Sequence, residues 1–551
     1  MLSQTFLIVL SASLALCQAQ SHENLTISTK TGAYIGFING TTPNVRQFLN
    51  IPYAQPPTGL LRWEPPASPL TNSSSLIDST TFPPSCAQYL SANPSVYNQD
   101  VPEFLIDPAP YPAAAGTTPP STSESCLSLA IWTPLDIPKS LPVILFMTGG
   151  GYVNGGIDIP YQLPHNWVQR TQSHIVVTIN YRLGIFGFPG SASLPSQNLA
   201  ILDQRQALQW VYDNIASFGG DPTRITLWGQ SAGAACTDAH NFAFYKNPLV
   251  TGLVLSSGTT NILDGRPIPS TSDAHNNFTF VAHSIGCRNL SLSDEIACMR
   301  SQPASRILNF IGQYNDNNNG SLPTLSFGPI ADEEIIFSNY TSQYSQGLFS
   351  YLPAIIGTTA NEAAGYPYPI NNRTAGPYQP FSDATTAALF LCPSHDTSEL
   401  REKAGAKTFR YQYAGNFTNI SPRPWLGAYH DTDLPMLFGT YADFRSNLMT
   451  KEELQKEKAV SETMQDFVLA FMQDPKGGLE GKGWPEYGQG QMIRFGGSDG
   501  RNSKNEEYDA VSRFERHIAR CLRCYHEDFE DPGIGHRRKV FADEVIYTHD
   551  T

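Results

Sequence analysis

The sequence predicts an α/β fold: a mostly parallel, twisted central sheet with helices on both faces and added loop and helix insertions. Three observations predict it. Short runs that are β-branched or aromatic, and apolar throughout, recur along the chain, as strands covered on both faces must be. Helical patterns lie between them, and alternating strand and helix gives parallel pairing. The residues best suited to chemistry follow the strand runs, and open parallel sheets gather chemistry at the carboxyl ends of their strands.

In chain order the strand runs are "LPVILFM" (Leu141 to Met147), "HIVVTINY" (His174 to Tyr181), "RITLW" (Arg224 to Trp228), "GLVLSS" (Gly252 to Ser257), "LPAIIG" (Leu352 to Gly357) and "KTFRYQY" (Lys407 to Tyr413). Two helices are the clearest. "NLAILDQRQALQWVYDNIASF" sets Leu202, Ala207, Leu208, Val211 and Ile215 on one stripe. "KEELQKEKAVSETMQDFVLAFMQD" does the same with Val460, Met464, Phe467, Val468 and Phe471. The Pro-rich segment from Tyr97 to Ser123 reads as a surface loop, and Asn261 to Asn319 as a polar, mixed insertion.

The 551 residues are 40% hydrophobic and 15% charged, enough for a large core. The formal net charge of -14 argues against nucleic acid or an anionic membrane as partner. The basic cluster Arg537, Arg538 and Lys539 reads as a solvated patch. The first stretch, "MLSQTFLIVLSASLALCQAQ", has the form of a secretory signal. Its apolar run, Phe6 to Leu16, is too short to span a bilayer. The expected organisation is a signal peptide over 1–19 and one domain over 20–551, with no transmembrane segment and no anchor signal in the tail "VIYTHDT". Asn24, Asn39, Asn72, Asn277, Asn289, Asn319, Asn339, Asn372, Asn416 and Asn419 each begin Asn-X-Ser/Thr, which supports a glycosylated, extracellular protein.

Nine cysteines are present, and Cys17 leaves with the signal. In an oxidising setting disulfides are expected of the rest. Cys287 and Cys298 are close enough to close a small loop, and Cys86 and Cys126 flank the Pro-rich segment. Cys236, Cys392, Cys521 and Cys524 stay open. There is no second CxxC and no HExxH, so neither a metal nor a cofactor is expected.

After "RITLW" comes Gly229-Gln230-Ser231-Ala232-Gly233, the G-x-S-x-G of a strand-turn-helix nucleophile elbow. The bland alternative is a structural turn serine. After "LPVILFM" comes Thr148-Gly149-Gly150-Gly151-Tyr152, where backbone N–H groups can converge on an oxyanion. Gly150 and Gly151, with Ala232, would form that hole. A dinucleotide loop would need glycine where Asn154 stands. Glu362 follows "LPAIIG" among small residues, and His430 sits in the apolar setting of "LGAYHDTDLPMLFG". Taken alone, one reads as a surface glutamate and the other as a packed or exposed histidine. Together with Ser231 they have the Ser…acid…His order of α/β-hydrolases. His430 would then take the serine proton and return it to the leaving alcohol, while Glu362 fixes the imidazole tautomer. An inflection in activity is expected roughly between pH 6 and 7.5.

"IPYAQPPTGLLRWEPP", "SESCLSLAIW", "NYRLGIFGFP", "FGGDPTRITLWGQSAGA", "NEAAGY" and "GAYHDTDLPMLFG" follow one another along most of the chain. In this the sequence resembles the type-B carboxylesterase/cholinesterase family, and within it the secreted fungal members. The resemblance implies catalytic Ser231, Glu362 and His430, and an oxyanion hole at Gly150, Gly151 and Ala232. It also implies the disulfides Cys86–Cys126 and Cys287–Cys298, and a Ser257 hydroxyl that supports the acid. Departures are Ser125 at a commonly acidic position, Thr148 where histidine is frequent, and Ala200 for a usual glycine. The Cys86–Cys126 loop also lacks the tryptophan with which cholinesterases hold a quaternary ammonium. The function expected is that of a secreted serine carboxylesterase acting on a small-molecule or lipid ester. The alternatives are a lipase whose Cys86–Cys126 loop, with Phe104, Leu105, Ile106 and Tyr111, forms a lid, and a non-catalytic adhesion relative.

Overall fold

The computed structural model describes residues 25–70, 75–106, 114–136, 140–263, 271–318, 322–489 and 491–497. The expected signal segment, Asn24, Asn72, Asn319, Tyr111, Cys521, Cys524 and the basic cluster at 537–539 lie outside the described residues. A ten-stranded sheet organises the rest. Its strands are β1 (Phe37–Ile38), β2 (Val45–Pro52), β3 (Ser128–Pro134), β4 (Leu141–Met147), β5 (Ile175–Ile179), β6 (Gly220–Gln230), β7 (Gly252–Ser256), β8 (Ala354–Thr359), β9 (Thr408–Tyr413) and β10 (Ile493–Phe495). They lie in the order β10-β9-β8-β7-β6-β4-β5-β3-β2-β1. Pairing is parallel from β5 through β4 to β10, and antiparallel from β5 to β3, β2 and β1.

The principal helices are α1 (Leu199–Asn214), α2 (Ala232–Ala243), α3 (Thr271–Ser284), α4 (Leu292–Ser301), α5 (Ala304–Asp316), α6 (Gln379–Thr386), α7 (Cys392–Lys403) and α8 (Lys451–Gln473). None is long and apolar enough to cross a membrane.

The central strands are apolar on both sides because both sides are covered. Ile144 and Phe146 of β4 enter one core with Trp228, Val254, Ile355 and Phe409. Val143, Leu145 and Met147 enter another with Leu227, Leu253 and Leu255. Each such buried side chain contributes about 1.5–3 kcal/mol. α8 covers the first face. Thr450 caps it, its hydroxyl accepting from Glu453 N while Glu453 accepts from Thr450 N, a capping box. Its predicted stripe of Val460, Met464, Phe467, Val468 and Phe471 is buried. Gly252 leaves room for that helix, since a Cβ there would come 2.7 Å from the Phe471 ring. On the other face α1 buries Ala207, Leu208 and Val211. Asp203, also on α1, pairs bidentately with buried Arg182, at 2.8 and 2.7 Å, and so anchors the turn after β5.

Both resemblance-based disulfides are formed, Cys86–Cys126 and Cys287–Cys298. Of the cysteines left open, Cys236 is a buried free thiol and forms no disulfide with Cys392. The segment after Tyr97 departs from the surface loop expected of it. Val101, Phe104 and Ile106 are buried, and Phe104 packs 4.7 Å from the Tyr161 ring. Proline and small polar residues mark irregular backbone, but not which way its few apolar side chains turn. Among the sequons, Asn39, Asn289, Asn339, Asn372 and Asn416 are exposed and Asn277 is half-buried. Asn419 is a correction. It is fully buried, and its amide donates to Tyr441 O at 2.7 Å and to Glu457 at 3.2 Å, leaving no nitrogen open to a glycan in the folded chain.

Candidate active site

β6 ends at Gln230 and α2 begins at Ala232, which leaves Ser231 alone to make the turn. Its φ of 54° and ψ of -124° are an unusual conformation for a residue with a side chain. The flanking glycines permit it. A Cβ on Gly229 would lie 2.6 Å from Ala234 N and collide with the Gly233 carbonyl. A Cβ on Gly233 would collide with Met147 O and lie 2.6 Å from Thr148 O. Strand end and helix start are therefore closed to any larger residue than glycine. The Ser231 N–H donates to Ser256 O at 2.8 Å, fixing the turn to β7.

Glu362 follows β8 and is 1% exposed. One carboxylate oxygen accepts from Thr359 N at 2.7 Å, and the other faces His430 Nδ1 at 2.6 Å. The His430 N–H also donates to Glu362 O at 3.2 Å, so side chain and backbone both tie the pair. With Nδ1–H directed to the carboxylate, Nε2 is the free acceptor of the neutral ring. It lies 3.1 Å from Gln230 Nε2, which donates to it when the ring is neutral. In this geometry the imidazole is bonded to Gln230 and not to the Ser231 hydroxyl.

Ser257 is a second correction. It follows β7 with a φ of 55°, and its buried hydroxyl has no hydrogen-bond partner among the described residues. The oxygens of Glu362 are taken by the Thr359 N–H and the imidazole instead.

Gly150 and Gly151, with φ of 102° and 61°, turn the chain after β4. The Gly150 carbonyl accepts from Val153 N and Asn154 N at 3.0 and 2.9 Å. The N–H groups of Gly150, Gly151 and Ala232 make no hydrogen bond among the described residues, and all three residues line one cavity with Ser231 and His430. That cavity has a volume of about 970 Å³. Much of its wall is aromatic: Tyr97, Phe104, Phe188, Phe327, Tyr366 and Phe390.

Phe390 comes from a break in helix geometry. α6 runs into a π-turn at Ala387–Leu391, and α7 follows with Pro393 near its start. Proline has no N–H to give an α-helical bond and its ring crowds the preceding turn. The wider π-turn absorbs that conflict, with Cys392 N donating to Ala387 O. It delivers Phe390 to the imidazole, centroids 4.8 Å apart. α6 also braces the acid turn: Thr386 Oγ1 accepts from Ala363 N at 2.9 Å, and the Ser382 hydroxyl donates to Ala363 O.

The electrostatics centre on His430. Burial opposes its charged form, yet the carboxylates of Asp431 and Glu362 outweigh it, and its pKa is pushed up to about 9. This moves the titration above the range the sequence suggested. Burial raises Asp431 as well, and drives Asp433, bonded by the Tyr411 hydroxyl at 2.7 Å, up to about 7. Sequence reasoning missed Gln230, Phe390 and Asp431 as parts of this site. Gln230 and Asp431 are chain neighbours of residues it chose. The one sign of Phe390 was a proline inside a helical stretch.

The Carboxylesterase family profile matches residues 23–379 and 371–510. A "Chlorogenic acid esterase" of Aspergillus niger is 38% identical over 499 residues, covering 90% of this chain and 89% of that protein. "Secreted lipase 5" of Gibberella zeae is 39% identical over 488 residues, 84% of this chain and 88% of that one. A mouse "Cholinesterase" is 32% identical over 356 residues, 63% of this chain and 55% of its own length. With the twisted, mostly parallel sheet, these similarities make the chain a member of the carboxylesterase family, an α/β-hydrolase acting on carboxylic esters.

Proposed function

We propose that the protein is a secreted serine carboxylesterase with Ser231 as nucleophile, His430 as general base and acid, and Glu362 as the group that orients and charges the imidazole. The observation that carries this reading is the 2.6 Å Glu362–His430 contact, whose histidine lines the same cavity as a strained serine and three N–H groups unpaired among the described residues. As substrate enters, the Gln230 amide gives up Nε2, which then accepts the Ser231 proton. Oγ attacks the ester carbonyl, and the oxyanion takes hydrogen bonds from Gly150, Gly151 and Ala232 N–H. The tetrahedral intermediate collapses, Nε2 gives its proton to the leaving alcohol, and water clears the acyl-enzyme by the same steps. Secretion is supported by the signal-like start, two disulfides and a relative named as secreted.

The aromatic wall suits esters with an apolar or aromatic acyl group. A lipase is the second reading, favoured by Phe104, Leu105 and Ile106 of the Cys86–Cys126 segment lining the cavity. Turnover of short p-nitrophenyl esters by the native protein and by Ser231→Ala tests the first reading. Loss of nearly all activity in a folded variant is expected; retained activity means another nucleophile, and inactive native protein means a non-catalytic relative. A jump in rate once a triglyceride exceeds its solubility would favour the lipase.

A further inference from the structure

We propose that Asp431 makes the cavity select esters by the charge of their alcohol portion, favouring cationic over neutral and rejecting anionic alcohols. This rests on the serine-esterase reading above. Asp431 follows His430 directly, has a φ of 80°, and lines the cavity. Its Oδ1 is 3.9 Å from His430 Nε2. The left-handed turn would accept glycine without strain, so the carboxylate is what aspartate adds.

Two facts decide what that carboxylate meets. Apart from tyrosines, His430 and Asp431 are the only ionisable groups on the wall among the described residues, and no Lys or Arg balances them. Glu362 and Asp433 lie behind the imidazole, 1% and 0% exposed, out of reach of a ligand. The second fact is direction. Nε2 must come within hydrogen-bond reach of the leaving oxygen, roughly 3 Å, to protonate it. Asp431 stands beside that same nitrogen, so the leaving oxygen lies within roughly 7 Å of its carboxylate and the rest of the alcohol extends from there through its field. In a partly desolvated site a unit charge there is worth a discrimination on the order of 10-fold or more.

The test uses the full-length secreted protein and three butyryl esters with alcohols of similar size: 2-(trimethylammonio)ethyl, 3,3-dimethylbutyl and 2-sulfoethyl. The readout is the ratio of kcat/KM values at one alkaline pH, the same for all three esters and every variant. Taking ratios cancels the protonation state of His430. The native protein should prefer cationic to neutral to anionic, with the anionic ester about 10-fold or more below the neutral one. Asp431→Asn and Asp431→Gly should both bring the three values together. Asp431→Gly should melt no lower than the native protein, since glycine suits the turn, and this guards against misfolding. A structural role alone would lower all three values equally, and would overturn the proposal. So would equal ratios in native and variant proteins. If the neutral ester is cleaved with dependence on Ser231 but without charge preference, only this proposal fails; if no Ser231-dependent cleavage occurs, the reading beneath it fails too.

Discussion

Substituting Gly229 by alanine tests the elbow where the structure is least able to yield. The added Cβ would lie 2.6 Å from Ala234 N and closer still to the Gly233 carbonyl. Ordinary contact needs about 3.4 Å, so the end of β6 and the start of α2 must part by roughly 1 Å. Every atom it meets is backbone, and no side chain can swing aside. The helix start cannot simply retreat either. Gly233 is pressed on Met147 and Thr148, and a Cβ at Gly258 would already be 3.1 Å from Ala234 Cβ. Overpacking of this kind costs about 1–3 kcal/mol of stability. The greater loss is in rate. Ser231 and Ala232 lie between the parted elements, and about 1 Å of misplacement costs on the order of 100-fold. The assay is kcat on a soluble ester with thermal unfolding of the same preparation. Gly40→Ala serves as control, since nothing lies within 4 Å of its Cβ. If Gly229→Ala keeps kcat within about 3-fold of the native value, the elbow is not held as argued.

Activity should rise with pH through about 9, because the base must be neutral and the pKa of His430 is raised to that value. At pH 7 about 1% of the imidazole is then neutral, so the plateau should be roughly 100-fold above the rate at pH 7. The sign for stability is opposite: the charged imidazole stabilises the fold fully below about pH 6.5, and this is lost as pH passes through 9. A midpoint near 6.5 in the rate profile would contradict this electrostatic account. Phe390→Ala should admit water to the imidazole face, where it screens the carboxylates that outweigh burial, and so move the rate midpoint down toward the ordinary histidine value. A shift of one unit raises the rate at pH 7 about 10-fold. Phe390→Leu should restore most of the native midpoint, and an unmoved midpoint in Phe390→Ala would mean the ring only fills space.

The parts of the fold legible in the sequence are those where local pattern and global environment agree. β4 is apolar at every position and covered on both faces, so its bounds are those of the run "LPVILFM". β2 is different. It carries Arg46 and Gln47 inside the sheet, 1% and 5% exposed. Two of their partners are Pro134 O, which accepts from Arg46 Nε, and Trp132 Nε1, which donates to Gln47. Both belong to a strand more than eighty residues away, and nothing within "VRQFLNIP" announces them.

The same division runs through the site. A serine between glycines, a glycine triplet and a histidine can be read because each motif carries its own backbone requirement. The strength of the base cannot be read that way. Two of the three carboxylates that charge His430 stand in plain sight in "YHDTDLP", and in water they would be heavily screened. The fold removes that water. It sets Asp431 on the cavity wall in a left-handed turn and sends Asp433 inward to the Tyr411 hydroxyl. A substitution at Tyr411 that leaves Asp433 without its donor should therefore perturb the titration of His430 without touching the ring, since burial raises the aspartate's pKa and the Tyr411 bond opposes that rise. The chemistry of this site is written in side chains, but its pH scale is written in which of them the sheet and its helices keep dry.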